Sequence, residues 1–364
     1  MTATREIAIP RRIVVKIGSS SLTGSDGRLD EARVRALASE VAAIRRAHST
    51  SSVIVTSGAI AAGLDPLGFK RRPTDIPSLQ AAASVGQGAL IHAYQRAFAR
   101  SKLPVGQVLL TQGDFVHREA FVNAHQAMER LLGLGAVPVV NENDATGVAE
   151  IRFGDNDRIA ALVAMMIRAD LLIILSDVDG IYTDDPRKRG AHRLETADLE
   201  ALRAINAGSV GSHIGSGGMA SKVEALRTAA SAGVAGIVAS AAEPRVLRRL
   251  LAGEMIGTFV PAQRARTRSR KAWIAFAQSP RGALTVDAGA QRALTESNRS
   301  LLPAGIVGFE GSFVVGDVVE IRADGTPFAR GITSYAADEI AGLIGQRLAP
   351  GAREVVHRDS LVLL

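Results

Sequence analysis

A chain of 364 residues and 38.1 kDa has room for roughly two domains at about 150 residues each. Its 47% hydrophobic and 22% charged content can fill cores of that size and excludes wholesale disorder, while the absence of cysteine excludes disulfides, thiolate metal sites and thiol nucleophiles. A formal net charge of +7 favours anionic partners, whether nucleotide, acidic amino acid or RNA, although solubility alone also accounts for it.

The chain opens on Met1-Thr2-Ala3-Thr4-Arg5-Glu6, which lacks the apolar core of a signal peptide, and no run of about 20 predominantly apolar residues follows. The expected location is the cytoplasm, with no membrane partner. Strand-like runs at 12–17, 52–56, 104–110, 136–140, 170–175 and 234–239 alternate with helical patterns at 29–47, 78–101, 118–133, 157–168 and 219–232. Such alternation predicts an α/β three-layer sandwich with a mostly parallel central sheet and helices on both faces.

Within the first strand, Lys16 interrupts an apolar run that leads into Gly18-Ser19-Ser20-Ser21, a loop of small donors. A lysine there wants an anion, unless it snorkels to solvent. Further on, Val139-Val140 empties into Asn141-Glu142-Asn143-Asp144, and Phe153-Gly154-Asp155-Asn156-Asp157 follows. The carboxyl end of a strand is where open α/β sheets hold ligands, although the same residues also suit acidic turns. Leu171 to Leu175 shows no polar alternation, as a strand covered on both faces should, and it ends in Ser176-Asp177. Then Gly215-Ser216-Gly217-Gly218-Met219-Ala220-Ser221-Lys222 supplies glycines that let backbone N–H groups approach a ligand, and a second lysine at the start of a helical pattern. No G-x-x-x-x-G-K-[ST] occurs, and no clear strand leads into the glycines, which argues against both a P-loop NTPase and a dinucleotide fold. What remains is a phosphate-handling site in which two distant lysines face carboxylates and amides.

After Pro261 the alternation stops. Arg264, Arg266, Arg268, Arg270 and Lys271 crowd a basic linker over 263–274, and short β-type runs at 282–289, 300–305 and 316–321 predict a compact, largely β domain over 275–364.

Taken in order, Val14-Val15-Lys16-Ile17-Gly18-Ser19-Ser20, Val55-Thr56-Ser57-Gly58-Ala59-Ile60, Asn141-Glu142-Asn143-Asp144, Gly154-Asp155-Asn156-Asp157 and Gly215 to Lys222 resemble the motifs of the glutamate 5-kinase family, within the amino acid kinase fold. The resemblance spans nearly the whole chain, because the runs at 282–289 and 300–305, with Ala329-Arg330-Gly331-Ile332, resemble a PUA domain. It implies an amino acid kinase domain over 1–262 that binds ATP and glutamate, followed by the linker and a PUA-like β domain. The implied reaction is ATP-dependent phosphorylation of the γ-carboxylate of L-glutamate, the first step of proline biosynthesis.

A carboxylate nucleophile is already ionised at neutral pH and needs no general base, so catalysis should rest on alignment and charge stabilisation. By resemblance, Lys16 and Lys222 flank the β- and γ-phosphates, with Asp157 holding the two lysines by charge. Gly18, Ser19, Ser176, Asp177, Gly217, Gly218 and Met219 are the further nucleotide positions. Asp144 is matched to the substrate ammonium, and Ser57, Gly58 and Asn156 to its carboxylates, with Asn141, Glu142 and Asn143 as alternative supports behind them. Magnesium is expected with ATP, held by phosphate oxygens and water, with no protein ligand named. The seven histidines show no metal-type spacing.

The family further implies proline as feedback inhibitor, glutamyl phosphate reductase as a partner, and a homo-oligomer, tetramer or dimer. RNA is not an expected partner, since only Phe309, Phe313, Phe328 and Tyr335 offer stacking surfaces and most read as core. Two rivals stay open: another amino acid kinase fold enzyme acting on acetylglutamate, aspartate or carbamate, and an RNA-binding regulator with a nucleotide-sensing domain.

Overall fold

The computed structural model describes residues 8–24, 26–116, 118–146, 156–184, 189–208, 218–263, 280–346 and 353–364, which form two compact units divided between Arg264 and Ala265. In the first unit, β1 (Arg12–Ile17), β2 (Ser51–Val55), β3 (Val105–Leu110), β4 (Val137–Glu142), β5 (Leu171–Ser176), β6 (Ala235–Ser240) and β7 (Thr258–Val260) make one sheet in the order β3-β4-β2-β1-β5-β6-β7. Every pairing is parallel except β6 with β7. Among the described residues the helices are α1 (Ser19–Leu22), α2 (Glu31–His48), α3 (Ala59–Leu64), α4 (Ile76–Ala99), α5 (Gln112–Val116), α6 (Arg118–Gly133), α7 (Asn156–Met166), α8 (Leu199–Gly208), α9 (Gly218–Ser231) and α10 (Val246–Leu251).

Period-two alternation in β1 decides which side chain meets which layer. Ile13, Val15 and Ile17 enter a core shared with Val34, Leu37 and Val41 of α2, Leu90, Tyr94 and Phe98 of α4, and Leu247 and Leu250 of α10. Lys16 therefore points to the opposite face, where α7 and α9 pack. Burial of each large apolar side chain in such a core stabilises by about 1.5–3 kcal/mol. The long helices start where capping chemistry directs. Asp30 accepts from the amides of Ala32 and Arg33 ahead of α2, and Asp75 accepts from Ser78 ahead of α4. Arg45, Arg46 and His48 in the last turn of α2 suit the negative end of its dipole.

β4 runs two residues further than its apolar stretch, so Asn141 and Glu142 are strand residues and buried, not members of a turn. Both belong to the β3 pairing, as Leu109↔Asn141 and Leu110↔Glu142. The short elements α3, α5, α10 and β7 lack the length for a readable period, and they and α8 are found only in the structure.

The second unit carries a five-stranded sheet of β8 (Gly282–Val286), β9 (Ile306–Gly311), β10 (Val318–Ala323), β11 (Thr326–Ile332) and β12 (Leu361–Leu363), ordered β12-β11-β10-β8-β9. The β-type run at 282–289 ends at Val286: Asp287 accepts from the amide of Ala290 and starts a helix, α11 (Ala288–Thr295). The run at 300–305 is likewise no strand, but a single bridge at Leu301 and a 3-10 turn over Pro303–Gly305. Near the end lies α12 (Ala337–Leu343). Phe313 is buried in this unit's core, with the Phe309 ring edge-on at 6.2 Å.

The crossing of α3 and α4 is made of backbone. A β-carbon at Gly86 would lie 1.9 Å from the Ala59 carbonyl oxygen and 2.4 Å from the Gly63 nitrogen, and one at Gly63 would lie 1.9 Å from the Ala82 carbonyl oxygen. Gly86→Ala must push the helices apart. We expect it to lower stability by about 1–3 kcal/mol, read from the denaturant midpoint at unchanged slope.

Candidate active site

Three elements bring their charges together at the carboxyl edge of the sheet. Lys16 Nζ, near the end of β1, stands 2.5 Å from Asp157 Oδ1 in the first turn of α7, and Lys222 Nζ, in the second turn of α9, stands 3.3 Å from Asp157 Oδ2. Ser221 Oγ donates to the same Oδ2 at 2.9 Å. All three charged residues are buried, at 5%, 3% and 8% exposure for Lys16, Asp157 and Lys222. Burial opposes the ionised form of Asp157, yet the two ammonium groups and their hydrogen bonds more than offset it and hold the carboxyl below its ordinary value. The position also favours an anion, because the first turn of α7 exposes N–H groups.

Beside this trio lies a cavity walled by Ser57, Gly58, Asn141, Asp144, Asn156 and Arg72, with Ser19 at its edge. Gly58 is needed for its backbone: it turns β2 into α3 at a φ of 104°. Behind it, the buried Tyr94 hydroxyl and Thr56 Oγ1 share a hydrogen bond of 2.8 Å, and Thr56 also donates to the Ser57 carbonyl. Burial raises the Tyr94 phenol well above its ordinary value, so it stays neutral. Asn156 Nδ2 donates to Ser57 Oγ at 3.0 Å and to Asn141 Oδ1 at 3.2 Å, and Asn141 in turn donates to Gln87 Oε1 at 2.8 Å. This chain of amides spends the donors of Asn156 on the protein. Its Oδ1 is buried with no hydrogen-bond partner among the described residues, so what it presents to the cavity is an acceptor. The expected role of Asn156, a donor to substrate carboxylates, thus falls on an amide whose donors are engaged within the protein.

Asp144 is half-buried in the same wall. Loss of water pushes its carboxyl up to about 6, with the positive charge of Arg72 pulling the other way.

A second, larger cavity of about 560 Å³ opens on the other face of β1, between Ile17, Leu37, Leu175 and the Ser240–Leu247 turn. Ser176 and Asp177 line it, and Ser176 Oγ donates to Asp177 Oδ1 at 2.8 Å. In the register of β1 with β5, Lys16 pairs with Ile174, two residues before Ser176. The Gly18 N–H, expected at a phosphate, reaches toward the Leu175 carbonyl at 3.4 Å, and a β-carbon on Gly18 would sit 3.7 Å from Lys16 Nζ. Gly218 begins α9 and Met219 is half-buried there, while Gly217 and the Gly154-Asp155 pair lie outside the described residues. Sequence reasoning missed Thr56, Gln87, Tyr94, Ser221 and Arg72. Of these, only Thr56 and Ser221 sat inside the quoted motifs.

A parallel α/β sheet thus sets two buried ammonium groups around one carboxylate, next to a cavity of mixed charge. The profile of the amino acid kinase family matches residues 11–240, and that of the PUA domain matches residues 282–349. The glutamate 5-kinases of Streptomyces coelicolor and Streptomyces avermitilis are 50% and 49% identical to this chain, covering 100% of it and 99% and 100% of their own lengths. Among solved structures, carbamate kinase from Giardia lamblia bound to AMP-PNP overlays 70% of this chain and 99% of its own with a TM-score of 0.53 at 16% identity, a likeness of fold. The chain belongs to the amino acid kinase family. No described helix is long and apolar enough to cross a membrane.

Two outcomes follow from the charges. Asp157→Asn leaves two buried ammonium groups around a neutral amide and should cost about 3–5 kcal/mol, measured by chemical denaturation at pH 7. Asp144 has the opposite sign of linkage. Its raised value means that the ionised form is disfavoured in the folded protein, so the penalty is present above about pH 6 and fades as pH falls toward the unfolded value of 3.8. Asp144→Asn should therefore stabilise most at pH 8, and its advantage over wild type in thermal midpoint should shrink through pH 6.

Proposed function

We propose that this chain transfers the terminal phosphoryl group of ATP to the γ-carboxylate of L-glutamate, giving glutamyl 5-phosphate at the entry to proline biosynthesis. The observation that carries the reading is the convergence of Lys16 and Lys222 on Asp157 beside a cavity holding Asp144 and the open Asn156 carbonyl. The cluster suits phosphate, and the cavity suits an amino acid.

A γ-carboxylate oxygen attacks the γ-phosphorus while the bond to the β–γ bridging oxygen breaks, and ADP leaves. The attacking carboxylate is already ionised at neutral pH, so no residue needs to take a proton. Asp157 is unsuited to that task in any case, because both its oxygens are held by cations and Ser221. Its role is to keep two mutually repelling ammonium groups within reach of one triphosphate. The lysines then offset the repulsion between two anions and the charge that spreads over the equatorial oxygens. Gly18, Ser19, Ser176, Asp177, Gly217, Gly218 and Met219 complete the nucleotide side. Ser57 and Gly58 serve the substrate carboxylates, and Asp144 with Asn156 serves its ammonium.

Magnesium enters with the nucleotide. Phosphate oxygens and water would hold the ion, as is usual for a magnesium that arrives with a nucleotide. The same reading makes proline a competitor near Asp144, the acyl phosphate a substrate handed to a glutamyl phosphate reductase, and the working protein a cytoplasmic homo-oligomer, dimer or tetramer.

Hydroxamate formation with ATP should proceed with glutamate and not with acetylglutamate or aspartate, and added RNA should leave the rate unchanged. Turnover on acetylglutamate or aspartate alone would overturn the reading. Lys16→Ala and Lys222→Ala should each lower kcat by about 100-fold or more, and arginine at either position should not restore it, because a planar fork places its donors differently from a compact ammonium. Asp144→Ala should raise KM for glutamate far more than for ATP; an equal rise for both would remove it from the amino-acid site.

A further inference from the structure

Arg72 lies between α3 and α4, preceded by Lys70 and Arg71, and such a basic run would ordinarily be a solvated surface. Arg72 alone of the three lines the substrate cavity, with Asp144, Ser57 and Asn156. Among the described residues its guanidinium has no ion-pair partner, although it shares the cavity wall with Asp144 and acts on that carboxylate's charge. The cavity thus offers opposite charges on one wall that do not bond to each other. An α-amino acid carries the complementary pair on one carbon.

We propose that Arg72 binds the α-carboxylate of the substrate while Asp144 and the Asn156 carbonyl take its ammonium, so that the side-chain carboxylate is the end left to face Lys16 and Lys222. This assignment rests on the amino-acid kinase reading above and names the residue that selects the head group. A guanidinium suits the task because its parallel N–H groups meet both oxygens of a carboxylate. It also gives a reason for regiochemistry: a molecule with two carboxylates is phosphorylated at the distal one because the proximal one is held away from the lysines.

The test uses glutamate and its α-amide, which keeps the γ-carboxylate and the ammonium but loses the α-carboxylate charge. With the full-length protein, Arg72→Ala should raise KM for glutamate by about 10- to 100-fold, the range expected of a charge-assisted bidentate contact, with kcat within about threefold. KM for the α-amide should not move, so the preference for glutamate over the amide should collapse. Arg72→Lys should restore part of it. Equal changes with both substrates, or no change with either while the wild type is active on glutamate, would overturn the assignment of Arg72 alone. A wild type inactive on glutamate would overturn the kinase reading and this assignment with it. Arg72 is exposed, and an unchanged thermal midpoint would confirm that the variant is folded.

Discussion

One carboxylate shared by two ammonium groups organises this molecule. Asp157 ties the central strand β1 to α7 and α9 through a single pair of oxygens, and it does so where water is excluded. Such an arrangement is costly to assemble, since each buried ion loses hydration. It carries a formal charge of one plus, so the cluster is left with a positive excess that the proposed reading assigns to a polyphosphate. The sheet order places it well, because β1 has β2 on one side and β5 on the other, and the carboxyl ends of all three converge on the same edge.

Around this anchor the chain separates tasks by element. The buried charges come from β1, α7 and α9. The wall of the neighbouring cavity comes from the ends of β2 and β4, the start of α3 and the stretch before α4. Asn156 and Asp157 are consecutive, yet one faces the amides and the other the lysines, so the first turn of α7 joins the two halves. The Tyr94–Thr56 and Gln87–Asn141 contacts show that α4, remote from the phosphate side, sets the position of the cavity wall.

Much of this was legible in the sequence because its signals are local. Six parallel strands and five long helices declared themselves through apolar runs and helical periods, and Lys16 stood out as one cation in an apolar strand. Asp157 and Lys222 were legible as members of motifs. Contacts that depend on packing were not. Nothing in the sequence near Tyr94 says that it faces Thr56, and Arg72 reads as one of several basic residues in a row. The extension of β4 through Asn141 and Glu142 was hidden because polar residues at a strand end look like a turn until their partners in β3 are seen. In the second unit, Asp287 ended a strand that alternation alone would have carried on to residue 289, since an N-cap outranks apolar content once a helix can follow.

The contact of Gly63 with Gly86 has a broader meaning. It fixes how far the segment bearing Ser57 and Gly58 stands from the helix bearing Gln87, and hence the size of the chamber between them. Chamber width is governed here by the absence of two β-carbons, at a place outside the chamber's own lining. The chamber can therefore change width through remote changes in helix spacing, with every residue of its wall left as it is.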